Sequence, residues 1–167
     1  TGFLFRKQAG LRPDSTLPVI KTDLQTLNLS EDLLVWFGHS SYLIQMEGKR
    51  LLVDPVFCTA APVSFVNKPF KGTEVYRPED MPDIDWAILE NGQYNEGWKY
   101  IHLMPGYMAA VARELKAAKI LTVHHSKYAL ATHPWDEPLK NARRMRDRDS
   151  LPVVIPQIGE VVNMAEY

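Results

Sequence analysis

The chain has 167 residues, 46% of them hydrophobic and 23% charged, with a formal net charge of −1. That composition suits one globular domain with enough core to fold unaided. A near-zero balance gives no global field to draw in nucleic acid or an anionic membrane, so no nucleic-acid partner is expected. The single cysteine, Cys58, cannot form an internal disulfide and reads as a small inert thiol. No apolar run reaches the roughly 20 residues of a membrane span, so no transmembrane segment is expected and a cytoplasmic location is the default.

Residues 1–30 are turn-rich, with Pro13 and Pro18, and read as an N-terminal arm lying over a single domain at 31–167. Leu33 to Phe37 reads as a short buried strand, Tyr42 to Met46 as a second and Leu51 to Val53 as a third. Gly48 supplies the hairpin turn between the last two, and Pro55 ends the run because proline cannot donate to a ladder. Residues 58–82, with Pro62, Pro69, Pro78 and Pro82, read as a long covering loop. Ile84 to Leu89 reads as a strand. Met108, Val111, Ala112, Leu115 and Ala118 recur at helical spacing across Pro105 to Lys119, and Ile120 to Val123 is a strand directly afterwards. Strand, helix and strand make a βαβ unit with a parallel pair. A second helix is expected at 137–148, followed by closing strands at Val153 to Ile155 and Glu160 to Met164. Arg143, Arg144, Arg146 and Arg148 interleave with Asp147 and Asp149, the pattern of a solvated helix face.

Five histidines are the residues most able to carry chemistry: His39, His102, His124, His125 and His133. Each falls at a strand end or in a loop, where functional groups collect on α/β folds. A hydrogen-bonded structural role is the competing reading for each. His39 and Ser40 are neighbours on an extended stretch and point to opposite faces, which argues against a Ser–His pair. His124 and His125 end a strand, and only one can face a given side. No H-x-H, H-E-x-x-H, C-x-x-C or G-x-S-x-G spacing occurs, nor a glycine-rich phosphate loop.

Several ordered runs carry a resemblance. Val35-Trp36-Phe37-Gly38-His39-Ser40-Ser41-Tyr42-Leu43-Ile44 with Leu52-Val53-Asp54-Pro55-Val56-Phe57, Leu89-Glu90-Asn91-Gly92-Gln93-Tyr94-Asn95, and Val123-His124-His125-Ser126-Lys127-Tyr128-Ala129-Leu130 with Trp135-Asp136-Glu137-Pro138 belong to this set. Together they resemble the metallo-β-lactamase superfamily, in its N-acylphosphatidylethanolamine phospholipase D-like and ascorbate-6-phosphate lactonase-like branch. The resemblance implies an α/β chain that is part of an αββα sandwich, built from an N-terminal hairpin and a C-terminal βαβ portion. It implies a metal-dependent hydrolase, phosphodiesterase- or lactonase-like, acting on a small-molecule ester with one or two zinc ions.

The departures are as informative. The family's H-x-[HD]-x-D-H motif, its later histidine and its bridging aspartate in a G-G-D-S-G-Y-like stretch have no counterpart here. Asp83-Ile84-Asp85 resembles the strand before the first metal motif, yet it runs straight into Trp86-Ala87-Ile88-Leu89-Glu90, which resembles the strand after the last aspartate ligand. A middle segment about as long as this chain is expected to be missing near 85–86. A longer natural protein, a deliberate shortening and an in-frame deletion all fit.

By the resemblance, His124 occupies the family's C-terminal zinc-histidine position, and His125 has no metal role. His102 stands beside the substrate pocket, although Met104-Pro105-Gly106-Tyr107 replaces the usual Met-Pro-Glu-Glu. His39, with Asp54, buttresses the site on the pocket side without ligating metal. Glu90, Asn91 and Tyr94 fall on the pocket floor, with plain hydrogen-bonded packing as the alternative, and His133 is a further pocket residue. Zinc needs at least three protein ligands, so the 167-residue chain is expected to hold no zinc and to be inactive, with no catalytic residue identified in it. The alternative function is an inactive remnant that binds partners or forms a homo-oligomer to cover an exposed sheet.

Overall fold

A computed structural model describes residues 13–57, 70–98, 102–128 and 131–165. Cys58 and most of the 58–82 loop's first half lie outside them. The architecture is α/β, as expected. Among the described residues, six strands form one mixed sheet in the order β1-β2-β3-β4-β5-β6: Leu33–Gly38, Ser41–Met46, Lys49–Val53, Trp86–Glu90, Lys119–Val123 and Val153–Val154. Helix α1 (Pro105–Leu115) links β4 to β5, and α2 (Glu137–Asp147) links β5 to β6.

The first three strands are antiparallel neighbours, and β3, β4, β5 and β6 run parallel. The β2–β3 turn is two residues long, Glu47 and Gly48, both at positive φ (49° and 71°). This is the primed hairpin geometry, whose twist matches that of the flanking strands. The expected hairpin and βαβ unit thus meet in one sheet through the parallel β3–β4 pair.

The junction at 85–86 is tied on both sides. Asp85 N–H donates to Arg50 O at 3.0 Å, and its carboxylate accepts from Lys49 Nζ (3.0 Å) and Arg50 N–H (2.9 Å). Ala118 and Lys119 N–H donate to Ile84 O (2.9 Å) and Asp85 O (2.8 Å). These bonds also explain why α1 stops four residues short of the expected Lys119. Lys116 turns left-handed (φ 50°), and the chain is then taken up by the β5 ladder.

The two sheet faces differ. Val35, Leu43, Leu52, Ala87, Leu89, Ile120 and Val153 share one face and one apolar core with Met108, Ala112 and Leu115 of α1 and Ala142 and Met145 of α2. Over the hairpin strands that core continues into Leu24, Tyr76, Met81 and Ile84. Phe37 meets Tyr76 with ring centroids 4.7 Å apart. The arm is tied down by polar contacts: Gln45 Nε2 donates to Asn28 O (2.7 Å) and Glu31 O (2.8 Å), and Gln25 Nε2 to Met81 O (2.7 Å). The opposite face carries Leu34, Trp36, Ile44, Met46, Leu51 and Val53, none of which joins this core.

One element differs from expectation. Glu160 to Met164 forms no strand. Gly159 sits at φ 88°, Glu160 N–H turns back to Gln157 O (3.0 Å), and the Glu160 carboxylate accepts from Gln157 N–H (2.7 Å). The turn leads the chain away from β6, and Val161 is left 89% exposed. Among the described residues, no helix is long and apolar enough to cross a membrane.

Candidate functional site

The C-terminal ends of β4 and β5 bring several polar side chains together. Residues 91–93 continue from β4 and clamp the end of β5. Asn91 N–H donates to Val123 O (3.0 Å), and Gln93 Nε2 donates to His124 O (3.0 Å). Gly92 lies so close that a Cβ there would stand 1.8 Å from His124 O. Only glycine allows this approach. The clamp holds His124 in the left-handed region, at φ 68°.

Three sequence-expected residues meet here. Glu90 is nearly buried (9% exposed) at the end of β4. Its carboxylate accepts from His102 Nδ1 in a close contact and lies 3.5 Å from Leu103 N–H. His124 Nδ1 is 3.8 Å from the same carboxylate oxygen. His102 arrives from the segment just before α1, so two loops and one strand end converge on one carboxylate. A carboxylate fixes the orientation of the imidazoles it faces.

His125 turns away from this trio, as expected of a neighbour of His124. Its Nε2 faces Thr122 O (3.1 Å) and Thr122 Oγ1 (3.0 Å). A carbonyl can only accept, so the proton sits on Nε2, and Nδ1 accepts from Ser126 Oγ at 2.7 Å. Burial pushes the His125 imidazolium down from its ordinary value of 6.5; the Thr122 carbonyl opposes this and His124 reinforces it. His124, His125 and Ser126 border a cavity of about 760 Å³, walled on its far side by Trp135, Leu139 and Ile155.

Tyr94 and His133 form a second group. Their rings stack at 4.3 Å, and the His133 ring lies between two carbonyls, with Nε2 3.0 Å from Gly92 O and Nδ1 2.9 Å from Pro134 O. The Tyr94 hydroxyl donates to Glu137 Oε1 (2.9 Å) and accepts from Asn141 Nδ2 (2.7 Å). Burial raises the Tyr94 phenol well above its usual range, and the Glu137 carboxylate adds to the shift. Both rings line a cavity of about 460 Å³ with Glu96, Met104 and Pro105. Glu137 and Asn141 were not legible as partners of Tyr94. Their spacing of four on α2 marks one helix face, but nothing in sequence joins that face to a tyrosine more than forty positions earlier.

His39 stands apart. It is exposed in the β1–β2 turn (φ 51°), at the same end of the sheet but three strands from Glu90, roughly 14 Å by strand spacing. Ser40 Oγ donates to Asp54 Oδ2 at 2.5 Å, so Asp54 holds the turn through the serine. Asn91, fully buried, donates to Pro138 O at 2.8 Å, while its Oδ1 has no hydrogen-bond partner among the described residues.

Metal binding can be tested on the donor set. Among the described residues, no three His, Cys, Asp or Glu side chains are grouped so as to hold a metal. The Glu90 carboxylate is already engaged by His102, and His124 is one histidine of the expected ligand set. These residues do not fit zinc's need for three protein ligands.

Comparison with known proteins gives a partial match. No family model matches the chain. It is 35% identical over 88 residues to the N-acyl-phosphatidylethanolamine-hydrolyzing phospholipase D 1 of Caenorhabditis elegans, covering 49% of this chain and 24% of that protein. Over that stretch the chain is similar to a phospholipase D. It is also 46% identical over 46 residues to the outer membrane protein RomA of Klebsiella pneumoniae, covering 28% of this chain and 35% of that one. The chain therefore spans about a quarter to a third of these relatives' length. A solved structure from Thermotoga maritima, described as a candidate Zn-dependent hydrolase of the metallo-β-lactamase superfamily, aligns over 64% of this chain and 84% of that one. At 17% identity and a TM-score of 0.31, that alignment carries no argument.

Proposed function

We propose that this chain is part of a metal-dependent ester hydrolase of the metallo-β-lactamase superfamily, phosphodiesterase- or lactonase-like, and supplies one wall of its site. The observation that carries the reading is the convergence of Glu90, His102 and His124 at adjoining strand ends. The chain bearing them is also similar to a phospholipid-hydrolysing phospholipase D. In this reading His124 is the C-terminal metal ligand of a complete site, and the other ligands come from the motif segment this sequence lacks. Zinc, held by a complete set, would supply an activated water at neutral pH. The residues of this chain orient that site: Glu90 fixes His102 and faces His124, and the 91–93 clamp sets the His124 backbone. Tyr94 and His133 wall the adjoining cavity, where a substrate group would lie. The ester is the small-molecule partner. By itself the chain has no route to hydrolysis.

The test is an insertion. The motif-bearing middle of the Caenorhabditis elegans phospholipase D is placed between Asp85 and Trp86, and zinc content and hydrolysis of a p-nitrophenyl phosphodiester are measured. The expected result is zinc uptake and turnover, both lost on His124→Ala. A folded insertion protein that takes up zinc equally well with His124→Ala would overturn the role given to His124.

The exposed apolar sheet face favours a second reading, in which the chain acts as a self-associating module. Leu34, Trp36 and Met46 are 60%, 68% and 54% exposed, and all lie on the side of the sheet away from the core.

A further inference from the structure

We infer that the cavity between the end of β5, α2 and the segment after β6 binds an amphiphilic monoanion, one negative head on an apolar body, and that Arg143 selects the charge. The inference goes beyond the hydrolase reading and needs no metal.

The inventory of charges and donors carries it. The cavity holds about 760 Å³, within the roughly 300–1,000 Å³ of small-ligand sites. Every residue that lines it is described, and among them Arg143 is the only Asp, Glu, Lys or Arg. The other arginines of this stretch behave as a solvated face: Arg146 pairs with Asp147 at 2.7 Å and Arg148 with Asp149 at 2.8 Å. Arg143 differs. Its charge reaches Asp136 and Asp147, but each is taken by another cation, Asp136 by Lys140 (2.8 Å) and Asp147 by Arg146. Among the described residues the Arg143 guanidinium makes no ion pair and no hydrogen bond. A guanidinium carries five N–H donors and no acceptor. Trp135 adds another donor, since its indole N–H also has no acceptor among the described residues. The acceptors beside them are already used. His125 Nδ1 takes the Ser126 hydroxyl proton, and Thr122 O faces His125 Nε2. The cavity thus offers positive charge and donors, and its ligand must bring acceptors.

The walls decide the rest of the ligand. Trp135, Leu139, Ile155 and Ile158 line the same cavity, with Trp135 69% and Ile158 84% exposed. An inorganic anion would satisfy Arg143 and leave this apolar surface in water. A neutral apolar molecule would cover the walls and strip water from an unpaired charge, which is costly. A molecule with one anionic head and an apolar body satisfies both. Bonds from a guanidinium to such a head are charge-assisted, and a planar head can accept two at once.

Isothermal calorimetry on the 167-residue protein, in buffer with a chelator, tests this with four probes below their micelle concentrations. Methyl octyl phosphate and octanoate are amphiphilic monoanions, dimethyl phosphate is a head alone, and 1-octanol is a body alone. The expected result is one amphiphile bound per chain, with dimethyl phosphate and 1-octanol each about tenfold weaker or more. Binding of methyl octyl phosphate alone identifies the head as a phosphodiester, and binding of octanoate alone identifies it as a carboxylate. Arg143→Gln should weaken amphiphile binding by about tenfold or more and leave 1-octanol binding unchanged. Arg143→Lys, which keeps the charge without the fork, should lose less. Arg143 is exposed and unbonded, so both variants should melt at the wild-type temperature. Trp135→Ala should weaken amphiphile and 1-octanol alike, which places both in this cavity. Failure of both amphiphiles to bind would overturn the inference. So would 1-octanol binding as tightly as the anions, or anion binding that Arg143→Gln leaves intact. A missing zinc site in the insertion protein would touch none of these results.

Discussion

Replacing Gly92 with alanine probes the clamp on which the site geometry depends. The added Cβ would meet His124 O at 1.8 Å, His124 C at 2.4 Å and His125 N at 3.0 Å. The obstacle is backbone, so no side-chain rotation relieves it. Residues 91–93 and the end of β5 must separate by more than an ångström, which stretches two bonds now at 3.0 Å: Asn91 N–H to Val123 O and Gln93 Nε2 to His124 O. Each bond contributes about 0.5–1.5 kcal/mol, and leaving a buried donor unpaired costs more. Forced overpacking adds about 1–3 kcal/mol. The sum is a loss of about 2–5 kcal/mol, a large part of the stability of a domain this size. Urea unfolding followed by circular dichroism measures it. With a slope of about 1–3 kcal/mol per molar urea, the midpoint should fall by about 1–3 M. Gln93→Ala removes one bond without the clash and should cost only about 1 kcal/mol. If Gly92→Ala lowered stability by no more than Gln93→Ala, the close approach would not be what holds His124.

Two further outcomes follow from the polar groups. Tyr94→Phe leaves Asn141, 5% exposed, without its acceptor and should destabilise by about 1–3 kcal/mol in the same urea experiment, whereas His133→Ala, which removes a more exposed ring, should cost less. His125 has its folded-state value depressed below the unfolded 6.5, so the unfolded chain binds the proton more readily. Its contribution is therefore present above about pH 6.5 and lost as pH falls through the folded value. His125→Gln should flatten the stability–pH curve as pH falls below about 6.5, and an unchanged slope would remove His125 from that role.

The parts of the fold legible in sequence are those with strong local signals. Gly48 marked the hairpin turn because the primed geometry requires positive φ there. The spacing of Met108, Ala112 and Leu115 gave the buried stripe of α1. Lys116 carried no such mark, and α1 ended earlier because Ala118 and Lys119 were needed by the sheet. Glu160 to Met164 had apolar residues at suitable spacing, yet a strand also needs a neighbour with open hydrogen-bonding groups, and the turn at Gly159 directs the chain elsewhere. In the site, histidines at strand ends were recognisable one by one. Their grouping was not. That Glu90 faces both His102 and His124 while His39 stays three strands away depends on strand order, which local pattern does not encode. The Tyr94–Glu137–Asn141 contact depends in the same way on where α2 packs.

The central claim is that this chain carries one wall of a hydrolase site and not a complete metal centre. Zinc titration of the purified 167-residue protein by isothermal calorimetry, with phosphodiester hydrolysis followed in the same samples, tests it most directly. The account expects no stoichiometric tight binding and no turnover above the zinc-only background. One zinc bound per chain with turnover, both lost in His124→Ala, would contradict it and show that the residues present assemble a working centre by themselves.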